Sequence, residues 1–314
     1  MPSFDAVNYS LRPSKSIERQ IVFDAVSMLR TELDVDNMLY IGLGSIWFTD
    51  FLMAHRLFKI EDMISIEAHD VGYQRATYNC PYATVSVRHG MSSEVLPTLL
   101  EDDDLKARRW FVWLDYDSPL NEAIRDDLQL LVENAPPNSI LITTFNGHPM
   151  AFGRPVDRIE RLQAILGDAV PDGLEKRDVK EERMQQTLAT STMRFMQSVA
   201  ASMSRPGGFL PAFRVVYQDN APMVTVGGVL PDQDKRAVVK EIIESDQWTA
   251  APEKPIRAPH LTMKEAAVLQ SQLPDAGGIT RAKVQELGFD LEDDQIEAFT
   301  TYYRQYPSFA QIIS

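Results

Sequence analysis

Only one of the 314 residues is a cysteine, Cys80. A disulfide within the chain and any cysteine-cluster metal site are therefore excluded, which fits a reducing compartment, and a cytoplasmic location is expected. No apolar run reaches membrane-spanning length, and the opening Met-Pro-Ser-Phe-Asp-Ala-Val has no basic segment leading into an apolar core. Neither a membrane partner nor export is expected. Positive charge is also scarce, with 31 Lys and Arg against 45 Asp and Glu and a formal net charge of -14. Broad nucleic-acid binding needs the opposite balance, because phosphates reward clustered cations. What remains is a chain 44% hydrophobic, enough for one large domain or a main domain with an appendage.

The most informative stretch is Leu39-Tyr-Ile-Gly-Leu-Gly-Ser-Ile-Trp-Phe-Thr-Asp-Phe51. Met38 to Ile41 form the apolar run of a strand covered on both faces. Gly42 and Gly44 lack a Cβ, so the backbone can turn sharply into a helix and a ligand can lie against bare peptide. Ser45 follows directly, and Trp47 stands where a full dinucleotide fingerprint has its third glycine. Beyond the turn, Phe48, Phe51, Leu52 and Phe58 recur at helical spacing, with His55 on the same face.

Upstream, Ser10 to Leu33 reads as a lead-in and a helix with the stripe Ile17, Ile21, Ala25, Met28 and Leu29, and Ser14 or Ser16 as N-cap. Arg12, Lys15 and Arg19 concentrate positive charge there, which could hold a phosphate or carboxylate of a substrate, although solvated charges at a helix start are the ordinary reading. Downstream, Met63 to Glu67 is a second strand whose closing carboxylate suits both hydroxyls of a ribose. Ala83 to Val87 is a third, ending in Arg88-His-Gly-Met91, which brings His89, Gly90 and Met91 to the carboxyl edge of the sheet. The fourth, Trp110 to Leu114, is closed by Asp115-Tyr-Asp117. Ser118 is the expected N-cap and Pro119 the expected first position of the next helix. The fifth, Ser139 to Thr143, brings Asn146 and His148 to the same edge as Asp115, and His148 suits proton transfer near neutrality. Residues 154–205 read as helices. Ala212 to Tyr217 and Met223 to Leu230 then flank a turn and read as an antiparallel hairpin.

This order resembles the class I S-adenosylmethionine-dependent methyltransferases, in particular bacterial proteins labelled putative O-methyltransferases, over roughly residues 15 to 230. The resemblance implies a doubly wound, mostly parallel seven-stranded α/β sheet closed by an antiparallel hairpin, with S-adenosylmethionine across the strand ends. By motif position Gly42, Gly44 and Ser45 would line its methionine part and Glu67 would hold the ribose. Gly90 and Met91 would border the adenine, and Asp115 would sit near the methyl. Asp115, Asp117 and His148 are the candidate catalytic groups. Asp115 or Asp117 with Asn146 could imitate the oxygen-rich cation site of some members, but the metal-free reading is preferred. Asn79-Cys-Pro-Tyr82 resembles the Asn-Pro-Pro-Tyr signature of enzymes that methylate base amino groups. It lies between the second and third strands instead of after the fourth, so it reads as a turn.

The proline-rich stretch 251–259 suggests a boundary, with residues 1–250 a Rossmann-like domain and 251–314 a small helical C-terminal module. Thr262-Met-Lys-Glu265 is a capping box, followed by helices near Ile279–Leu287 and Leu291–Tyr303. Acidic Leu291-Glu-Asp-Asp294 argues against nucleic-acid contact and for packing or homodimerisation. Two functions follow: methyl transfer to an unidentified acceptor, expected to be a hydroxyl, or a catalytically silent nucleotide-sensing or assembly subunit, which a bulky Trp47 would favour.

Overall fold

The computed structural model describes residues 12–275 and 277–307; Ser10 and Leu11 of the expected lead-in lie outside them. A seven-stranded sheet in the order β3-β2-β1-β4-β5-β7-β6 forms the middle layer. Its strands are β1 (Leu39–Gly42), β2 (Met63–Glu67), β3 (Val85–His89), β4 (Trp110–Pro119), β5 (Ser139–Asn146), β6 (Leu210–Gln218) and β7 (Pro222–Leu230). The first five pair in parallel, and β7 runs antiparallel to both β5 and β6. One strand, β7, thus runs against the other six, within the expected hairpin. Among the described residues, no helix is long and apolar enough to cross a membrane.

Side chains alternate across each strand, so one strand feeds two cores. Tyr40, Phe111 and Trp113 pack with α1 (Pro13–Leu33), α2 (Thr49–Phe58) and α3 (Asp70–Tyr78). Leu39, Ile41, Val112 and Leu114 pack on the other side with α4 (Ser92–Glu101), α6 (Glu122–Asn134), α7 (Arg158–Leu166) and α8 (Glu181–Ser202). The short α5 (Asp103–Lys106) precedes β4, and α9 (Arg236–Ile243) joins the first core through Val239.

Three local expectations change. Neither Ser14 nor Ser16 caps α1, because Pro13 takes the first helical position and the carboxylate of Asp219, from the β6–β7 turn, accepts from the backbone N–H groups of Ser14 and Lys15 at 3.0 Å each. Ser118 and Pro119 do not begin a helix, since β4 stays extended and pairs as far as Pro119 with Asn146. Asn121 caps α6 instead, its side chain accepting from Ile124 N at 3.0 Å. Phe48 is the left-handed residue before α2, with φ 49°, although its ring is buried as the spacing suggested.

The proline-rich stretch covers the β6 edge, a protection that exposed edges require. Ile256 forms a parallel bridge with Tyr217, donating to Val216 O at 2.8 Å and accepting from Gln218 N at 3.0 Å. The helices that follow are α10 (Met263–Gln270), α11 (Arg281–Glu286) and α12 (Asp293–Tyr302). The Thr262–Glu265 capping box opens α10 in both directions. Ile296, Phe299 and Tyr306 join the first core, and the Tyr306 hydroxyl donates to Pro259 O at 2.8 Å.

Candidate active site

The carboxyl ends of β1, β2, β3 and β4 converge on a pocket of about 240 Å³. Gly44, Ser45, Glu67, Gly90, Met91, Asp115 and Asp117 all line it, together with Trp47 and Tyr116. In an open α/β sheet this is where the strand order reverses and a crevice forms. Trp47 borders the cavity with 40% of its surface exposed and does not fill it.

The two glycines serve mainly the protein's own packing. A Cβ on Gly44 would lie 2.8 Å from the Phe51 ring and 2.9 Å from Ser65 Oγ, and the Gly44 N–H donates to that oxygen at 3.2 Å. Gly42 lies behind the lining, where a Cβ would meet Trp113 O at 3.2 Å. The strained residue is Ser45, held at φ 49° with its hydroxyl buried and without a hydrogen-bond partner. A buried hydroxyl that lines a cavity and bonds to nothing costs free energy, and a ligand atom would satisfy it.

The first core's side of the pocket is ionic. Lys15 Nζ lies 2.7 Å from Asp115 Oδ2 and 3.3 Å from Glu18 Oε2. The Lys15 and Glu18 side chains are 4% and 0% exposed, while Asp115 keeps 28% toward the cavity. The ammonium also sits 5.3 Å from the centroids of the Trp113 and Tyr217 rings. Thr225 donates to Glu18 at 2.6 Å and shares a 2.8 Å hydrogen bond with Thr144, which accepts from Trp113 Nε1 at 3.1 Å. Burial pushes the Glu18 carboxyl up, offset in part by Lys15. One turn further, Arg19 lines the pocket while only 6% exposed. Asp50, at the start of α2, accepts from the Tyr40 hydroxyl at 2.6 Å; burial raises its carboxyl and the Arg19 charge lowers it.

Glu67 ends β2 as expected and accepts from His69 N at 2.9 Å. His89 turns away from the cavity, with Nε2 3.1 Å from Asp70 Oδ1 and its ring stacked on Tyr73. Asn146 and His148 are not brought to the pocket. The Asn146 side chain accepts from His148 N at 2.8 Å, and the exposed His148 accepts from Met150 N at 3.2 Å. Among the described residues, no three His, Cys, Asp or Glu side chains are grouped to hold a metal ion. Cys80 sits in a turn, as expected, with Sγ 3.8 Å from Val85 O.

Asp50, Ser92 and Tyr116 went unread as site residues, and Arg19 was set down first as a solvated charge and only second as a holder of a substrate anion. The signal for Arg19 was the spacing of Lys15, Glu18 and Arg19, which puts three charges on one helix face beside the apolar Ile17 and Val22.

A family model described as "Putative O-methyltransferase" matches residues 7–314. The chain belongs to that family. This methyltransferase therefore has the class I architecture that its strand order suggested. No curated protein matches it. Among solved structures it is similar to an O-methyltransferase from Bacillus cereus in complex with SAH, at 12% identity and TM-score 0.37 over 66% of this chain and 80% of that one. A putative S-adenosylmethionine-dependent methyltransferase from Listeria monocytogenes gives 10% and 0.41 over 66% and 100%. Trm1 from Pyrococcus horikoshii, solved with S-adenosyl-L-methionine, gives 13% and 0.44 over 72% and 58%.

Proposed function

We propose that this cytoplasmic methyltransferase uses S-adenosylmethionine to methylate a hydroxyl of an as yet unidentified acceptor. The observation that carries the reading is one pocket in which the strained Ser45 turn, the ribose-type acid Glu67 and the buried cation Arg19 share the lining. An elongated ligand with a diol in the middle and a zwitterion at one end matches that order of groups.

Bound S-adenosylmethionine supplies a methyl group already activated by a positively charged sulfur. The chain's contribution is mainly to bind and align. Glu67 chelates the two ribose hydroxyls, and Arg19 pairs with the carboxylate at the amino-acid end. Asp50 and Asp115 face the ammonium there, and Ser45 Oγ completes its hydrogen bonding on the same part. Gly90, Met91 and Ser92 border the base. Acids gathered around the cavity favour a cationic ligand over a neutral one. Asp117, exposed in the lining, is the group that accepts the acceptor's proton. His148 has no part in this scheme, because its ring caps the segment after β5. The stretch around Ile256 and Ala258 acts as a brace, holding the start of α1 against the sheet.

Calorimetric titration with S-adenosylhomocysteine tests the reading. Wild type should bind, and Glu67→Ala should bind at least ~10-fold more weakly, as expected for losing hydrogen bonds to a charged group. No heat and no thermal shift on wild type would overturn it.

A further inference from the structure

Asp115 and Tyr116 are neighbours on β4 and point to opposite faces of the sheet. Tyr116 packs against the second core. There its hydroxyl donates to Asp127 Oδ2 at 2.6 Å, and Ser92 Oγ donates to the same oxygen at 2.5 Å. The two hydroxyls are 3.3 Å apart. Asp127, on α6, is only 2% exposed and does not line the pocket, whereas Ser92 and Tyr116 both do.

A hydroxyl has one proton to give and two lone pairs to offer. A buried carboxylate can only accept, so it claims the proton of each hydroxyl that reaches it. Both protons are then committed below the wall, and what Ser92 and Tyr116 can offer to the cavity is lone pairs. The network therefore gives the two hydroxyls a polarity: toward the cavity they accept hydrogen bonds and do not donate them. In the turn after β3 the Glu94 carboxylate is taken up by Met91 N at 2.9 Å, and the carboxylate that holds the Ser92 hydroxyl comes from α6.

We propose that Asp127 is a positioning residue that sets base specificity: by holding the Ser92 and Tyr116 protons, it makes the base end of the pocket select a 6-amino purine over a 6-oxo purine. This rests on the reading above, in which the nucleoside base lies against Gly90 to Ser92. An exocyclic amine donates into this wall. A carbonyl at the same position faces lone pairs with lone pairs, and buried polar groups left unpaired make such discrimination steep.

The test compares S-adenosylhomocysteine with its deaminated analogue, S-inosylhomocysteine, by titration calorimetry. Wild type should prefer the amino form by at least ~10-fold, as expected when a ligand's hydrogen-bond donor is replaced by an acceptor. In Asp127→Leu the acceptor that both hydroxyls share at Oδ2 is removed, and their protons are released toward the cavity. The preference should fall to within ~3-fold, because the hydroxyls can then donate to a carbonyl. Purely structural damage would weaken both ligands alike and leave the ratio intact. Ser92→Ala, which keeps the Tyr116–Asp127 bond and the α6 packing, should narrow the ratio as well and serves if Asp127→Leu unfolds. Equal wild-type affinity for the two ligands, or a ratio unmoved in both variants, overturns the proposal and leaves the methyltransferase reading standing. If neither ligand binds wild type, that reading has failed first.

Discussion

The two faces of β4 meet the same pocket with different physical chemistry. On the α1 face, Asp115 and Asp50 join the buried Lys15, Glu18 and Arg19 in a set of ionisable groups. On the α6 face, Tyr116 joins Ser92 and Asp127 in a network with a single charged member. The charged face depends on balance, because removing one partner strands another in a medium that solvates it poorly. The hydroxyl face depends on direction, since each proton can point only one way. The first is suited to hold a zwitterion and the second to read a flat ring.

The largest effect expected from this contrast is on stability. Lys15→Met leaves Glu18 and Asp115 facing one another without their cation and should lower the folding free energy by about 3–5 kcal/mol in urea unfolding. Glu18→Gln in the same chain should return much of that loss, since the repelling charge is gone. A loss within about 1 kcal/mol, the range of an exposed pair, would show that the α1 face is not electrostatically closed.

Next in size is a binding effect. Arg19→Met should weaken S-adenosylhomocysteine about 10- to 100-fold, the range for a hydrogen bond to a charged group. A cofactor analogue without the carboxylate should bind both proteins alike; if it too loses affinity, Arg19 shapes the pocket and does not read charge. On the other face, Tyr116→Phe removes one hydroxyl but leaves Asp127 its Ser92 partner. Its cost in thermal unfolding should be only about 1 kcal/mol.

Titration separates the faces further. Glu18 has a raised carboxyl value because it is buried. A group raised in the fold stabilises below its unfolded value, and that contribution is lost as pH rises through the folded one. Stability followed upward from pH 4 should therefore decline in wild type relative to Glu18→Gln. The smallest effect belongs to an exposed pair that serves as reference. Arg281 holds the Asp290 carboxyl down to about 2. That contribution is present above the ordinary carboxylate value and lost as pH falls toward 2, so Arg281→Gln should differ slightly from wild type at pH 5 and converge with it in strong acid.

Much of this was readable before any coordinates. The strand at Leu39, the acid at Glu67, the edge at Asp115 and the closing hairpin follow from apolar runs that switch between strand and helix periods. Those signals are local. Arg19 and Lys15 were read as solvated charges because a basic cluster at a helix start is ordinarily exposed. Their burial is imposed by the β6–β7 turn and by the segment near Ala258, more than two hundred positions along the chain. The helix expected at Ser118 failed for a related reason: Ser-Pro is a good local start, but pairing with β5 keeps the chain extended to Pro119. Asp127 looked like one acid among several on an amphipathic helix. Nothing in its neighbourhood in sequence announces Ser92 or Tyr116.

The stitching of the first helix has a temporal side. Ser14 and Lys15 are fastened by Asp219, and Ser14 Oγ also accepts from Ala258 N at 3.0 Å. As the chain leaves the ribosome, the turn bearing Lys15 and Arg19 emerges well before Asp219 and Ala258 and must wait for fastenings more than two hundred residues further on. Contacts of such long sequence separation form late, after the loop between them has been closed. A nascent chain stopped short of Ala258 would carry every strand of the sheet and still lack a settled pocket wall.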